Sequence, residues 1–144
     1  MPSPRPDLIA DDLWDAYAET VYVFRDEDRI GLLRAGTLPD ATTEALLARE
    51  EECYGAFITA QHPQHGPSAG GAGDNGPLRE RLRTDGYRFY AGAGIGMSPG
   101  HDPEASLFVP GLAEADAVAL GQAFGQNAVL VVECGHPCRL LLSR

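Results

Sequence analysis

The chain has 144 residues, of which 44% are hydrophobic and 22% charged, and its formal net charge is −10. This length and composition predict a globular chain with a substantial buried core, and they argue against disordered and membrane-embedded classes. An acidic chain without lysine is a poor general nucleic-acid binder, because neutralising phosphates requires clustered basic side chains.

The first predicted elements are a helix and a β-hairpin. Residues 7–19 have the pattern of a helix, with Asp7 as its candidate N-cap. β-branched and aromatic residues predict a strand over Thr20–Phe24, and the acidic run Asp26–Asp28 predicts a turn. A return strand is predicted over Ile30–Leu33.

A second helix and a central strand follow. Asp40 is placed to cap the helix, which we predict to extend to about residue 52. The three consecutive acids at 50–52 oppose the negative end of the helix dipole and predict that the helix ends early. Residues 54–60 are apolar or small and predict a buried strand. The Gly-, Pro- and Ser-rich residues 61–77 predict a flexible loop that could cover the end of this strand.

The middle of the chain predicts one short helix, one strand and a second loop. The helix contains Leu78 and Leu82 and is predicted to end at Gly86. The strand is predicted over Tyr87–Ala91. Residues 92–103, which begin with GAGIGMSPG, predict another flexible loop.

The most regular pattern lies at residues 104–133, where we predict a strand, a helix and a strand. Three apolar residues at helical spacing lie on one face of the helix: Ala117, Leu120 and Phe124. Gly125 follows them, where a left-handed glycine would end the helix. A terminal hairpin closes the chain.

Three segments of the sequence point to a family. The strings AYAETVYVF, GAFITAQHP and FGQNAVL occur in this order, the last preceded by an E-x-S-L-x-V strand. Together they resemble a bacterial family known as domain of unknown function 3293. No activity is established for that family, so the resemblance implies kinship and leaves function open. His62 stands where the family pattern has Asn, which sets this chain apart from that pattern.

We therefore expect one α+β or α/β layered domain spanning residues 1–144. It would contain a mixed sheet of about six or seven strands and about four helices, mostly on one face. Strand order cannot be derived from one sequence. Because no apolar run is long enough to span a bilayer and the N-terminus lacks a signal-like pattern, we expect a cytoplasmic protein.

The loops contain weak candidates for cofactor and metal binding. Gly92, Gly94 and Gly96 form G-x-G-x-G, but a dinucleotide site also needs a helix directly after the loop, and prolines interrupt it here. The weak metal-ligand candidates are His62, His65 and His101. Pro63 disfavours the helical turn that would bring the first two together, so no metal is assigned and the cofactor is unknown.

The C-terminal cysteines offer a further weak metal pattern, C-x-H-x-C at Cys134, His136 and Cys138. Structural zinc normally requires four ligands, and no paired C-x-x-C occurs elsewhere. A hairpin turn that happens to be flanked by cysteines is the simpler interpretation.

Polar residues at the predicted strand ends form the best candidate site. The candidate ligand-binding residues are Thr59, Gln61, Asn75, Arg79, Gln126 and Asn127. Glu104 and His62 are the candidate catalytic residues. Ligands collect at the carboxyl ends of strands in open α/β sheets, and an antiparallel neighbour would bring Glu104 to the same rim. Alternatively, Asn127 caps a helix end and Glu104 forms an ordinary ion pair with Arg79.

Two functions stay open at this point. The first is binding or transformation of a small anionic molecule, with phosphorylated and nucleotide-like ligands preferred because arginines cluster at residues 79–88. The second is a non-catalytic regulatory or assembly partner that uses its acidic surface and the edge of its C-terminal hairpin. A protein partner or a homo-oligomer is compatible with both. Whether the chain is an enzyme is left undecided.

Overall fold

The computed structural model describes residues 20–58, 76–95, 104–126 and 128–143. Seven strands lie in these ranges: β1 (Val21–Asp26), β2 (Arg29–Leu33), β3 (Tyr54–Ile58), β4 (Tyr90–Ile95), β5 (Glu104–Pro110), β6 (Ala128–Glu133) and β7 (His136–Leu142). Three helices accompany them: α1 (Ala41–Arg49), α2 (Gly76–Thr84) and α3 (Glu114–Ala123). None of the described helices combines the length and the apolar character that a bilayer crossing requires. The helix predicted over 7–19 lies outside the described residues.

The strands form one sheet in the order β2-β1-β4-β5-β3-β6-β7. All six strand pairs are antiparallel, so the fold is of the α+β class and the predicted mixed sheet is corrected to an antiparallel one. Within the described residues, the one parallel contact is an isolated bridge between Ala35 and Cys138. The strand–helix–strand unit predicted at residues 104–133 is present, but β3 lies between its two strands, β5 and β6.

The sheet curls until its two edges approach each other. The segment after β2 reaches β7, where the Gly36 N–H donates to the Cys138 carbonyl at 2.8 Å. The Cys138 N–H in turn donates to the Thr37 carbonyl, also at 2.8 Å. These bonds occupy part of the hydrogen-bonding edge of β7.

Apolar side chains fill both faces of the sheet. On the inner face, Leu46 and Leu47 of α1 pack with residues from six strands: Phe24, Leu33, Phe57, Phe108, Leu130, Val132, Cys138 and Leu140. On the outer face, α2 and α3 pack against β3, β5 and β6 through another buried group: Ala56, Ile58, Leu78, Leu82, Leu107, Val109, Ala117, Leu120, Val129 and Val131. Two of the three described helices therefore share one face.

Local signals account for most element boundaries. Asp40 caps α1, where its carboxylate accepts from the Thr43 N–H at 2.9 Å, as predicted. Gly86 and Gly125 follow α2 and α3 with positive φ angles of 85° and 72°, which confirms both predicted helix ends. The middle strand is displaced, however, because β4 covers Tyr90–Ile95 where Tyr87–Ala91 was predicted. Residues 92–95 thus belong to a strand, although they were expected in a loop.

Candidate functional site

Three consecutive acidic residues, Glu50, Glu51 and Glu52, follow the last residue of α1. The Glu51 N–H donates to the Ala48 carbonyl at 3.0 Å and the Glu52 N–H to the Leu47 carbonyl at 2.8 Å. This is a Schellman ending, in which the left-handed position normally favours glycine. Here Glu51 occupies it with φ 59°. A non-glycine residue in this conformation and acids at the negative helix end are both locally unfavourable, which marks the segment as a candidate functional site.

A chain of polar contacts joins this helix end to the sheet. Arg49 makes two hydrogen bonds to the buried carboxylate of Asp26, from Nη1 at 3.0 Å and from Nη2 at 3.1 Å. Its Nη2 also donates to the Tyr90 hydroxyl at 3.2 Å, and that hydroxyl donates to Glu50 Oε1 at 3.0 Å. Arg88 Nη1 reaches Glu50 Oε2 at 3.3 Å. Arg49 is therefore neutralised by Asp26, and Arg88 by Glu50.

The contacts in this chain shift the pKa values of two of its members. The hydrogen bond to Asp26 raises the pKa of Arg49, so its guanidinium stays charged. Burial raises the pKa of Tyr90, which keeps the phenol neutral and able to donate to Glu50. These polar contacts thus hold hydrogen-bond donors and acceptors in fixed positions behind the end of α1.

Gly111 and Tyr87 form the opposite side of this region. Gly111 has φ 80°, and a Cβ atom on it would lie 2.8 Å from the carboxylate carbon of Glu52. The backbone conformation therefore favours glycine, and the missing side chain leaves room for the Glu52 carboxylate. Burial, followed by the negative charges of Asp116 and Asp85, raises the pKa of Tyr87.

These residues enclose a cleft of about 460 Å³, which we call the α1 cleft. It is lined by Arg49, Glu50, Glu51, Glu52, Gly86, Tyr87, Arg88, Pro110 and Gly111. This volume is within the usual range for small-molecule sites. Within the described residues, Glu51 and Glu52 form no salt bridge, so their charges are the ones left uncompensated. The α1 cleft therefore favours a cation.

Most of the site residues predicted from the sequence lie outside the described residues. These are Thr59, Gln61, His62, Asn75 and Asn127, together with the weak metal candidates His65 and His101. Their roles stay predictions. Among the described residues, no three His, Cys, Asp or Glu side chains are grouped to hold a metal ion.

Strand register locates two of the remaining candidates. Glu104 begins β5, and the pairing of Ile58 with Leu107 puts the start of β5 and the end of β3 at the same end of the sheet. Gln126 lies two residues before the start of β6, and the start of β6 lies at this end too. Gln126 is buried, and its carbonyl accepts from the Ser143 hydroxyl at 2.5 Å. We call this region the Glu104 end; the α1 cleft lies at the other end of β5.

Arg79 is separated from Glu104. Its guanidinium lies 5.5 Å from the ring centre of Phe89, and that of Arg83 lies 5.4 Å from the same ring. Phe89 directly precedes β4, whereas Glu104 pairs with Gly94 near the other end of that strand. Five residues of strand correspond to about 16 Å. The structure thus gives Arg79 an aromatic partner and does not bring it to Glu104.

Two further sequence motifs receive structural explanations. Gly92 and Gly94 of the G-x-G-x-G pattern lie within β4, and a Cβ on Gly92 would lie 2.2 Å from the Val23 carbonyl oxygen. Close strand packing thus requires the glycine at position 92. In the C-x-H-x-C motif, Cys134 lies in the β6–β7 turn and Cys138 is buried in β7, as expected for a hairpin. His136 lies 3.1 Å from Glu133.

Comparison with known proteins adds a family but no activity. Residues 59–129 match the model of a family described as "Protein of unknown function (DUF3293)". The chain resembles this family. The match confirms the resemblance inferred from sequence, and comparisons with curated proteins and with solved structures gave no match. The DUF3293 match contains Gly86–Arg88 and Pro110–Gly111, one wall of the α1 cleft, whereas Arg49–Glu52 precede it.

Sequence reasoning missed the α1 cleft. From the sequence, the acids Glu50–Glu52 predicted only that the helix ends early. Three acids at a helix C-terminus are unfavourable to the helix dipole, and no neighbouring residue in the sequence offsets this effect. That imbalance is the feature of the sequence that could have indicated a site. Finding the partners of Glu50 needed the tertiary structure, because Arg88 and Tyr90 are 38 and 40 residues from it along the chain.

Proposed function

We propose that the protein binds a small molecule carrying an amino or guanidino group in the α1 cleft. The observation that carries this proposal is that Glu51 and Glu52 form no salt bridge with any described residue, whereas the two arginines of the cleft do have acidic partners. Charge-assisted hydrogen bonds from a cationic group to carboxylates are stronger than neutral ones. The aromatic ring of Tyr87 lines the same cleft and would add a favourable contact with a cation.

The ligand proposed here is a cation, whereas the sequence predicted an anion. An anionic ligand was preferred because arginines cluster at residues 79–88. In the structure Arg81 pairs with Asp85 at 3.0 Å, and Arg83 pairs with Glu80 at 3.0 Å. Since these arginines and Arg88 have acidic partners, the support for an anion is weaker. An anionic ligand at the Glu104 end stays a prediction.

Titration calorimetry of the full chain tests the proposal. The probes are 1,4-diaminobutane and arginine on one side, and inorganic phosphate and a nucleoside monophosphate on the other. We expect an amine to bind, and Glu52→Gln to weaken it about tenfold, the effect of losing about 1.4 kcal/mol of charge-assisted bonding. Glu44→Gln is the matched control, because Glu44 is exposed on α1 and does not line the cleft.

Two outcomes would contradict the proposal. If no amine binds, or if Glu52→Gln and Glu44→Gln weaken binding equally, the α1 cleft is not the site and any attraction is a general effect of the acidic surface. Binding of phosphate that is insensitive to Glu52→Gln would instead support the anionic prediction at the Glu104 end.

One observation supports the alternative function of a partner protein, and one counts against it. The acidic composition supports it. The hydrogen bonds of Gly36 and Thr37 to Cys138 count against it, because they cover part of the β7 edge to which another strand would add. Light scattering after size-exclusion chromatography tests for self-association through the rest of that edge.

A further inference from the structure

Two cysteines far apart in sequence face each other across the sheet. The last β3–β6 pair in the ladder is Tyr54 with Glu133, and one step further Cys53 lies opposite Cys134. The Cys134 N–H donates to the Cys53 carbonyl at 3.0 Å, which continues the ladder to this pair. Directly opposed residues in an antiparallel ladder have Cα atoms about 4.5 to 5.5 Å apart. Disulfides connect residues with Cα separations of about 4.4 to 6.8 Å.

The two thiols also share an environment. Cys134 packs against the inner-face core. Phe57, in the strand β3 that directly follows Cys53, belongs to the same core. Burial, then the charge of Glu44, then the Cys53 thiol raise the pKa of Cys134. Cys53 is exposed and Cys134 is half-buried, and both thiols are free. One partner is thus accessible to an oxidant and the other is held next to it.

We propose that Cys53 and Cys134 are a reversible redox pair that forms a disulfide on exposure to a peroxide. With hydrogen peroxide, the Cys53 sulfur attacks one oxygen and breaks the O–O bond, and the departing oxygen takes up the thiol proton, which gives a sulfenic acid and one water molecule. The Cys134 sulfur then attacks the Cys53 sulfur, forms the S–S bond and releases the sulfenic oxygen as a second water molecule. The two thiols lose two electrons in total, and these reduce the peroxide.

Strand geometry favours a disulfide that is easily reduced. Cβ atoms of opposed residues lie about 4.5 to 5.5 Å apart, whereas a disulfide needs about 3.5 to 4.5 Å. The two strand ends must therefore move together, and such strained and exposed disulfides are the labile ones. Oxidation would fasten the segment after α1 to the β6–β7 turn. Neither cysteine lines the α1 cleft, so the redox pair does not rest on the proposed function.

Peroxide titration of the reduced full chain tests the pair. The measurements are free thiols by Ellman reagent, intact mass under non-reducing conditions, and peptide mapping. Free thiols should fall from three to one with the loss of two hydrogens per chain, and dithiothreitol should restore them. Cys53→Ser and Cys134→Ser should each abolish the intramolecular link, with circular dichroism confirming that the variants fold.

Cys138 provides the internal control. It is buried in the core, and burial raises the pKa of its thiol to about 11, so it should stay reduced. Cys138→Ala should therefore form the Cys53–Cys134 disulfide as the parent chain does. Because this variant lacks Cys138, a disulfide found in its peptide map cannot involve that residue. Three remaining thiols, a Cys134–Cys138 bond, a link between two chains, or sulfinic acid at Cys53 would each overturn the proposal.

Discussion

Gly92 provides the sharpest test of how the sheet is packed. A Cβ atom at this position would lie 2.2 Å from the Val23 carbonyl oxygen and 2.8 Å from Cζ of Phe57. Ordinary van der Waals contact begins near 3.4 Å. In the variant Gly92→Ala, the β1 backbone would therefore have to retreat by about 1.2 Å, the difference between these two distances. It cannot do so without stretching the hydrogen bonds that join β1 to β4.

The cost follows from these contacts. Overpacking costs about 1–3 kcal/mol, and a clash with backbone belongs at the upper end because no rotamer change relieves it. Each lost ladder hydrogen bond adds about 1 kcal/mol. With one ladder bond lost, we expect Gly92→Ala to lower the free energy of unfolding by about 4 kcal/mol, which corresponds to a fall in melting temperature of about 8–16 °C.

Gly94, two residues along the same strand, is the matched control. A Cβ there would have 3.5 Å to its nearest neighbours, the side chains of Thr20 and Tyr22, so Gly94→Ala should be tolerated. Urea denaturation followed by circular dichroism measures both variants. If Gly92→Ala is as stable as Gly94→Ala, the β1–β4 packing described above is wrong.

Three further predictions use the polar chain and the end of α1. Arg49→Met removes both of the hydrogen bonds that Arg49 makes to the buried Asp26 carboxylate and should lower the free energy of unfolding in urea. Arg139→Met, at an exposed surface pair, should cost less than Arg49→Met and less than about 1 kcal/mol; equal losses would contradict this ranking. Glu51→Gly should raise the melting temperature through a gain of about 0.5–1 kcal/mol, because glycine accepts the left-handed position without strain; a lower melting temperature would show that Glu51 makes a compensating contact. Burial raises the pKa of Tyr90 in the folded chain above its ordinary 10.0, so the stability it contributes is present below pH 10 and is lost as the pH rises further. Unfolding free energies measured across this range should fall less steeply in Tyr90→Phe, and parallel slopes would refute the assignment.

Short-range chemistry made much of the local structure predictable. The Asp40 cap acts across three residues, and the left-handed glycines at 86 and 125 act on the helix turn just before them. Such signals are complete within a few neighbouring residues, so one sequence is enough to find them. The early end of α1 was predicted for the same reason, from the acids at 50–52.

Strand pairing, and with it the candidate sites, was decided by the tertiary structure alone. Nothing near Cys53 indicates that Cys134, 81 residues further on, lies opposite it, and nothing near Gly92 indicates that the Val23 carbonyl excludes a side chain. These contacts depend on which strands become neighbours. That choice rests on packing both faces of the sheet at once and not on any local pattern. The sequence by itself therefore determined where most elements begin and end, and long-range packing determined which of their residues meet.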